Sequence, residues 1–325
     1  MKVCIYGAGA IGGWMGVKLA QAGCELSVVA RGATLSALKD NGLSLSQGDT
    51  TTSVPARVAE DPAQLGVQDL VVIAVKAPAL AAVAERVAPL LGPDTTVLTA
   101  MNGVPWWFLS GGFGGAHTGQ RLAAVDPHGA IGAAIAARHV IGGVVHASCS
   151  LDGPGRVRLH FGNGLIVGEP SGVATPRVQA LRALLQRAGF DARVSQQIQK
   201  DVWYKLWGNM TVNPISALTR ATTDKILADD LVRGFVSAIM LEAKAVGERL
   251  GIPIAESPED RHAVTRKLGA FKTSMLQDVE AGRAVELDAL VSAVRELGQL
   301  AGVQTPFTDA LLGLARLRAR QLGLY

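Results

Sequence analysis

The stretch MKVCIYGAGAIGGWMGVKLAQAGCELSVVAR, residues 1–31, decides the fold of this chain. Its apolar residues 3–6 are typical of a buried strand, and a glycine-rich turn and a helical pattern follow directly. In that turn the first glycine suits a sharp bend, the second leaves the backbone open to a phosphate, and the third lets the helix pack close to the strand. The free N–H groups at the helix start favour an anion. The stretch therefore predicts a dinucleotide-binding unit around Gly7-Ala8-Gly9-Ala10-Ile11-Gly12.

The residue after the second predicted strand, residues 25–30, indicates which dinucleotide is bound. An acidic side chain at this point reads the ribose 2′-hydroxyl of NAD, but position 31 is Arg. A guanidinium suits a 2′-phosphate, with which it makes charged, bidentate hydrogen bonds. We therefore expect NADP (NADPH) rather than NAD. The alternative is that Arg31 is a solvated residue at a strand end.

Composition narrows the class of protein. The chain has 325 residues, of which 49% are hydrophobic and 18% charged, which suits two globular domains. Its net charge of +4 comes from scattered side chains, so a nucleic-acid partner is not expected. Three cysteines without metal-ligand spacing indicate a reducing compartment, here the cytoplasm, and no metal. Charged residues and a proline interrupt the most apolar later stretch, residues 70–91, so no membrane span is expected.

Further strands are predicted at residues 69–75, 95–99 and within 140–169, the last with a turn at Asn163-Gly164. Lys76 follows the first of these strands and Asn102 the second. Because ligands of open α/β sheets bind at the carboxyl ends of the strands, we expect Lys76, Asn102, Arg31 and the glycine turn at one edge.

Helices are predicted at residues 79–91 and 177–188, and from residue 196 onward the pattern is helical throughout. The fold class is thus an α/β Rossmann-type domain, residues 1–195, followed by an all-α domain, residues 196–325. The later helices are predicted at residues 196–213, 224–250, 257–280, 285–301 and 308–322. Residues 104–129, rich in Trp and Gly, fit either a mobile flap or a surface loop.

A polar stripe marks the first helix of the second domain. Lys205, Asn209 and Asn213 recur every fourth residue and so lie on one slowly drifting face. Pro214 predicts that the helix breaks there and turns the Asn213 amide outward. This pattern suggests a polar strip that lines a cleft, and a solvated helix face is the alternative.

The chain resembles the ketopantoate reductase (2-dehydropantoate 2-reductase) family over nearly its whole length. The motifs that carry the resemblance are GAGAIGG at residue 7, Lys76, Asn102-Gly103, KLWGNMTVNPISALT from residue 205 and SMLQDVEAGRAVELD from residue 274. The last two are specific, since a general Rossmann protein has neither. The resemblance implies NADPH-dependent reduction of a branched 2-oxo acid in pantothenate (coenzyme A) biosynthesis, with the active site between the two domains.

The resemblance also implies roles for single residues. Lys205 matches the general acid and Glu286 its partner carboxylate. Asn102 and Lys76 match residues near the nicotinamide and the cofactor, and Arg31 matches the reader of the 2′-phosphate. The positions that match substrate-binding polar groups are Asn209, Asn213, Ser274 and Asn102.

The sequence is compatible with three alternatives. The chain could instead be an NADP-linked reductase of another 2-oxo acid, or an NADP-linked dehydrogenase that acts on a β-hydroxy acid or an imine. It could also be a non-catalytic NADPH-binding sensor, although a lysine–glutamate pair argues for chemistry. The apolar stripe of residues 230–250 fits either a core helix or the face of a homodimer.

Overall fold

The computed structural model describes residues 1–325 and divides into two compact units. The sheet unit comprises residues 1–101 and 128–198, and the helical unit comprises residues 102–127 and 199–325. The break at 198/199 falls close to the sequence-based boundary. Residues 102–127 group with the helical unit, although the sequence-based division assigned them to the first domain. How function divides between the units stays a prediction.

All strands of the sheet unit join one mixed sheet. Its order is β4-β3-β9-β8-β7-β6-β1-β2-β5, and β10 pairs with β9. The strands are β1 (Lys2–Tyr6), β2 (Glu25–Val29), β3 (Leu43–Gln47), β4 (Thr50–Val54), β5 (Arg57–Ala59), β6 (Leu70–Ile73), β7 (Thr96–Thr99), β8 (Val140–Gly153), β9 (Arg156–Gly168) and β10 (Asp191–Val194). The helices are α1 (Ala10–Gln21), α2 (Gly32–Asn41), α3 (Leu80–Ala84), α4 (Ala130–Ala134) and α5 (Pro176–Arg187).

The centre of the sheet is parallel. Strands β7, β6, β1 and β2 lie side by side in that order, with β5 and β8 continuing the parallel run at either end. Every residue of β6 is buried, as expected for a strand covered on both faces. Because neighbouring parallel strands end at the same edge, the glycine turn after β1, Arg31 after β2 and Lys76 after β6 share the carboxyl edge of the sheet. Asn102, the fourth residue predicted at this edge, follows β7 but groups with the helical unit.

Helix α1 is buried along most of its length because three glycines allow close contacts on different sides. A Cβ on Gly12 would lie 2.1 Å from the carbonyl oxygen of Gly7, so Gly12 has the packing role that the sequence predicts. Gly13 lies against Val157 of β9, and Gly16 against Leu43 of β3. The antiparallel β3–β4 and β8–β9 hairpins therefore pack on α1 as well as extending the sheet.

The helical unit contains the rest of the secondary structure. Its helices are α6 (Ile198–Thr219), α7 (Thr223–Ala228), α8 (Asp230–Arg249), α9 (Pro258–Arg266), α10 (Ser274–Glu280), α11 (Ala293–Ala301) and α12 (Pro306–Gln321), with a π-helical turn at Asp288–Ser292. The predicted fold class, a Rossmann-type α/β domain followed by an all-α domain, is confirmed.

Several predicted elements are interrupted in the structure. The helix expected over residues 79–91 is reduced to α3 and a short 3-10 turn at Ala88–Leu90, because Pro89 lies in its interior. The predicted helix 224–250 is two helices, since the Asp229 side chain accepts a hydrogen bond from Val232 N–H and starts α8. The predicted helix 257–280 is likewise divided into α9 and α10.

The turn predicted at Asn163-Gly164 is a bulge inside β9. His146 pairs with Gly164 and Ala147 with Gly162, so Asn163 is the extra residue. Gly162 has a φ of +82°, which lets the strand accommodate this extra residue without ending.

Helix α6 continues through Pro214 to Thr219, so the predicted break is wrong. Proline removes one backbone hydrogen bond, but Met210, Thr211 and Ser216 around it are completely buried. Burial of this segment outweighs the loss, and Asn213 is itself buried, only 5% exposed, rather than turned outward.

Residues 104–127 form part of the packed helical unit. Trp107 and Phe108 are at most 1% exposed, and the Phe108 ring lies 6.0 Å from the Trp203 ring on α6. The backbone N–H groups of Ala123 and Ala124 donate to the Glu296 carboxylate of α11. The aromatic part of this segment is therefore core, and neither a flap nor a surface loop.

Candidate active site

The site in the helical unit is built on α6, whose orientation is set by buried aromatic side chains. The Trp207 indole N–H donates a 2.7 Å hydrogen bond to the backbone carbonyl of Met240 on α8. Lys205, two residues earlier, is partly buried, and its Nζ donates a 2.9 Å hydrogen bond to Oδ1 of Asn102. The structure thus brings together two of the predicted site residues.

Glu286 acts electrostatically on the same lysine. Its side chain is buried, 7% exposed, and its negative charge favours the protonated form of Lys205. Burial has the larger and opposite effect and lowers the pKa of Lys205 to about 8. An ammonium with this pKa releases its proton more readily than an exposed lysine does, while it stays largely protonated near neutral pH.

Backbone contacts fix Asn102 relative to the segment that carries Glu286. Gly103 has a φ of +84°, and a Cβ at this position would lie 2.6 Å from the carbonyl oxygen of Ala289. The next residue, Val104, donates its N–H to that same carbonyl at 2.8 Å. Ala289 belongs to the π-helical turn that follows Glu286. The close approach at Gly103 and the hydrogen bond from Val104 therefore hold the segment after Asn102 against the segment after Glu286.

The three remaining predicted substrate-binding residues differ in burial. Asn209 lies one turn beyond Lys205 on α6 and is half-buried, whereas Asn213 is buried. Ser274 is the first residue of α10 and is exposed. The preceding residue, Thr273, caps the start of α10, and its Oγ1 accepts a hydrogen bond from Leu276 N–H.

One charged residue near Lys205 is absent from the sequence-based prediction. Arg261 on α9 extends to α6, and its positive charge lowers the pKa of Lys205. A charged helix such as α9 normally faces solvent, so the sequence of α9 does not indicate that Arg261 lies near the site. The available signal was Gly208, because a glycine inside a helix often marks a close approach by another group.

The sheet unit carries the glycine turn. Gly7 has a φ of +103°, which favours glycine, and Val75 leaves no room for a Cβ there. Gly9 differs, because a Cβ on it would meet no atom within 4 Å. The fold therefore requires Gly7 and Gly12, whereas Gly9 leaves an open cradle in front of the helix start.

This cradle has the donors that a pyrophosphate requires. Helix α1 begins at Ala10 with no side-chain cap and no acidic residue in its first turn. Its first N–H groups, including that of Ile11, have no partner within the helix, and the helix dipole adds partial positive charge there. The residues of the turn thus fit a dinucleotide.

Arg31 and Lys76 lie along the same sheet edge. Arg31 is exposed and directly precedes α2. Burial raises the pKa of Tyr6 at the end of β1, and the positive charges of Arg86 and Arg31 act against that rise. Lys76 is half-buried and precedes a 3-10 turn at Ala77–Ala79.

Two further observations concern metals and membranes. No group of three or more His, Cys, Asp or Glu side chains is arranged to hold a metal ion. None of the helices combines the length and the apolar character needed to cross a bilayer.

The chain is similar to known proteins over its whole length. Residues 3–108 match the family model described as ketopantoate reductase PanE/ApbA, and residues 197–319 match the model of the C-terminal part of ketopantoate reductase PanE/ApbA. A curated 2-dehydropantoate 2-reductase from Mesorhizobium japonicum is 47% identical over 326 residues, which cover 100% of both chains.

Solved structures agree with this similarity. A provisionally assigned ketopantoate reductase from Ralstonia solanacearum MolK2 shares 55% identity and a TM-score of 0.94, with 99% of each chain covered. The 2-dehydropantoate 2-reductase from Geobacter metallireducens GS-15 shares 27% identity and a TM-score of 0.85, covering 98% of this chain and 100% of the other. This chain belongs to the ketopantoate reductase family.

Proposed function

We propose that this chain is an NADPH-dependent 2-dehydropantoate 2-reductase, which reduces a small 2-oxo acid to the 2-hydroxy acid. The observation that carries the proposal is the partly buried Lys205, which is hydrogen-bonded to Asn102 and subject to the charge of the buried Glu286. In a member of the ketopantoate reductase family, this group is suited to protonate the oxygen of a ketone.

The cofactor is held by the sheet unit. Backbone N–H groups of the turn Gly7-Ala8-Gly9-Ala10-Ile11-Gly12 bind the pyrophosphate, and Arg31 binds the 2′-phosphate. Lys76 contributes nearer the nicotinamide end, and Asn102, although it belongs to the helical unit, keeps its predicted role there. When bound, NADPH supplies the hydride.

Lys205 supplies the proton in the same reaction. Negative charge develops on the carbonyl oxygen as the ketone is reduced, and an ammonium stabilises that charge before it transfers the proton. Glu286 keeps Lys205 charged against the effect of burial, and Asn102 orients its Nζ. The polar groups of Asn209, Asn213, Ser274 and Asn102 contribute further hydrogen bonds to the substrate.

The two types of glycine in the turn give a matched pair of variants. We expect Gly9→Ala to leave the melting temperature unchanged, because the new methyl group meets no protein atom. It should weaken NADPH binding by about 10- to 150-fold, the loss of one hydrogen bond to a charged group. Gly12→Ala should instead lower the free energy of unfolding by about 1–3 kcal/mol, because its Cβ overlaps the Gly7 carbonyl.

Calorimetric binding of NADPH and thermal unfolding of both variants test this pair. Normal NADPH affinity in a folded Gly9→Ala protein would show that the backbone of the turn does not bind the cofactor.

The pH dependence follows from the pKa of Lys205. Since protonated Lys205 donates, we expect kcat/KM for reduction to be constant below pH about 8 and to fall about tenfold per pH unit above it. Glu286 raises this pKa, so Glu286→Gln should move the decline to lower pH. Initial rates from pH 6 to about 10, with NADPH binding measured alongside as the control, would show this. A shift of the decline to higher pH would contradict the pairing.

The function itself is tested by an NADPH-oxidation assay. Purified protein is given 2-dehydropantoate beside a panel of other 2-oxo acids, each with NADPH and with NADH. The proposal requires NADPH-dependent turnover of 2-dehydropantoate in preference to the panel. Preference for another 2-oxo acid would support the proposed reaction but identify a different substrate. NADPH binding without any turnover would favour a sensor.

We further propose that the protein acts in the cytoplasm as a homodimer. The three cysteines are free, as in a reducing compartment. Exposed apolar side chains on α8 and α12, among them Leu231, Leu241, Leu314 and Leu317, supply a surface for a second copy. Light scattering after size-exclusion chromatography measures the mass, and a monomer at micromolar concentration would contradict the dimer.

A further inference from the structure

The guanidinium of Arg261 occupies the place of a missing side chain on α6. A Cβ on Gly208 would lie 2.6 Å from both Nε and Nη2 of Arg261, and 3.0 Å from its Cζ. Gly208 is three residues after Lys205, and residues three apart on a helix are neighbours on one face. Arg261 therefore contacts α6 at Gly208, three residues from Lys205, and is near enough for its charge to lower the pKa of that lysine.

Arg261 is partly buried, and the Nε of its guanidinium has no hydrogen-bond partner in the protein. Its Cζ lies 5.7 Å from the centre of the Tyr204 ring. Burial lowers the pKa of Arg261, and the nearby charges of Tyr204 and Glu256 act against that fall. Since a buried N–H donor without an acceptor is costly, the arrangement favours an anion supplied from outside the chain.

The substrate class of the proposed function brings such an anion. A 2-oxo acid carries its carboxylate on the carbon next to the ketone, so its two recognition groups must lie close together. Lys205 is suited to the ketone oxygen, and a guanidinium about one helical turn away matches a carboxylate through two parallel hydrogen bonds. The anion also offsets the repulsion between the two cations, through which Arg261 lowers the pKa of Lys205.

We propose that Arg261 binds the carboxylate of the 2-oxo acid substrate, and that Gly208 is retained on α6 to make room for it. The inference rests on the proposed function, since it names a substrate-binding residue of the same site. It assigns the acid specificity of the enzyme to α9.

The test compares an acid with its neutral analogue. Arg261→Gln and Arg261→Lys are assayed with the 2-oxo acid and with the corresponding 2-oxo amide, at saturating NADPH. We expect Arg261→Gln to raise KM for the acid by about 10- to 100-fold, the loss of charge-assisted hydrogen bonds, with little change for the amide. Arg261→Lys should keep part of the preference for the acid, and Gly208→Ala should imitate Arg261→Gln because it displaces the guanidinium.

The control is Arg266→Gln, which removes a charge from the same helix where Arg266 pairs with the exposed Glu259. This substitution should leave KM unchanged for both the acid and the amide. Equal losses for acid and amide in the Arg261 variants would mean that Arg261 only packs against Tyr204, and unchanged kinetics would remove it from the site. Free guanidinium that restores acid turnover to Arg261→Ala would support binding over packing.

Calorimetry separates this inference from the proposed function. If the wild-type protein binds the 2-hydroxy acid without turnover of any 2-oxo acid, the proposed function fails. Arg261 keeps its role in that case if Arg261→Gln abolishes the binding, and loses it if binding persists. If the wild-type protein binds no 2-oxo or 2-hydroxy acid at all, the inference is overturned.

Discussion

Lys205→Ala is expected to lower kcat by about 100- to 10,000-fold, the usual contribution of a general acid. This corresponds to about 2.7–5.4 kcal/mol of transition-state stabilisation. The variant loses both the positive charge that stabilises the developing oxyanion and the proton that completes the reduction. NADPH affinity should be unchanged, because the glycine turn and Arg31 belong to the sheet unit.

Stopped-flow single turnovers and NADPH titrations of the same preparation measure these two quantities separately. Lys205→Arg keeps the charge but holds its proton too tightly to donate it, so its kcat should also be low. Lys225→Ala, an exposed lysine on α7, serves as the control and should behave like the wild type. If Lys205→Ala weakens NADPH binding as much as it slows turnover, the assigned role is wrong.

Arg31→Gln is expected to raise KM for NADPH by about 10- to 150-fold and to leave KM for NADH unchanged, because only NADPH has the 2′-phosphate. Arg31→Glu should go further and favour NADH, since a carboxylate repels the phosphate and accepts from the ribose 2′-hydroxyl. Arg31 is exposed at the start of α2, so neither substitution should alter the melting temperature.

The matched control is Lys39→Gln, which removes one positive charge from the other end of α2. It distinguishes a specific contact from a general effect of charge, and high salt should reduce only the latter strongly. Parallel losses for NADPH and NADH in Arg31→Gln would identify Arg31 as a solvated residue at a strand end.

The positioning of Lys205 shows how a site depends on distant segments. Its acceptor Asn102 is 103 residues away in the chain, and Asn102 is fixed in turn by contacts of Gly103 and Val104 with Ala289. Nothing in the residues around Lys205 indicates these partners. The resemblance to the ketopantoate reductase family was therefore the only route from sequence to the group of Asn102, Lys205 and Glu286.

The sequence by itself determined the features that depend on near neighbours. The turn at residues 7–12 lies within a single strand–helix connection, so its glycine spacing is enough to predict it. Period-two and period-3.6 patterns likewise predict the parallel strands and the helical second half. The stripe of Lys205, Asn209 and Asn213 follows from helix geometry alone.

Only the tertiary structure decided which of these patterns would be overridden. Pro214 remains inside α6 because the residues around it are buried, and the Trp-rich segment becomes core because it packs against Trp203. Arg261 in the charged helix α9 reaches the site because Gly208 leaves space on another helix. In each case the deciding energy comes from burial against residues far away in the chain, which a local pattern does not contain.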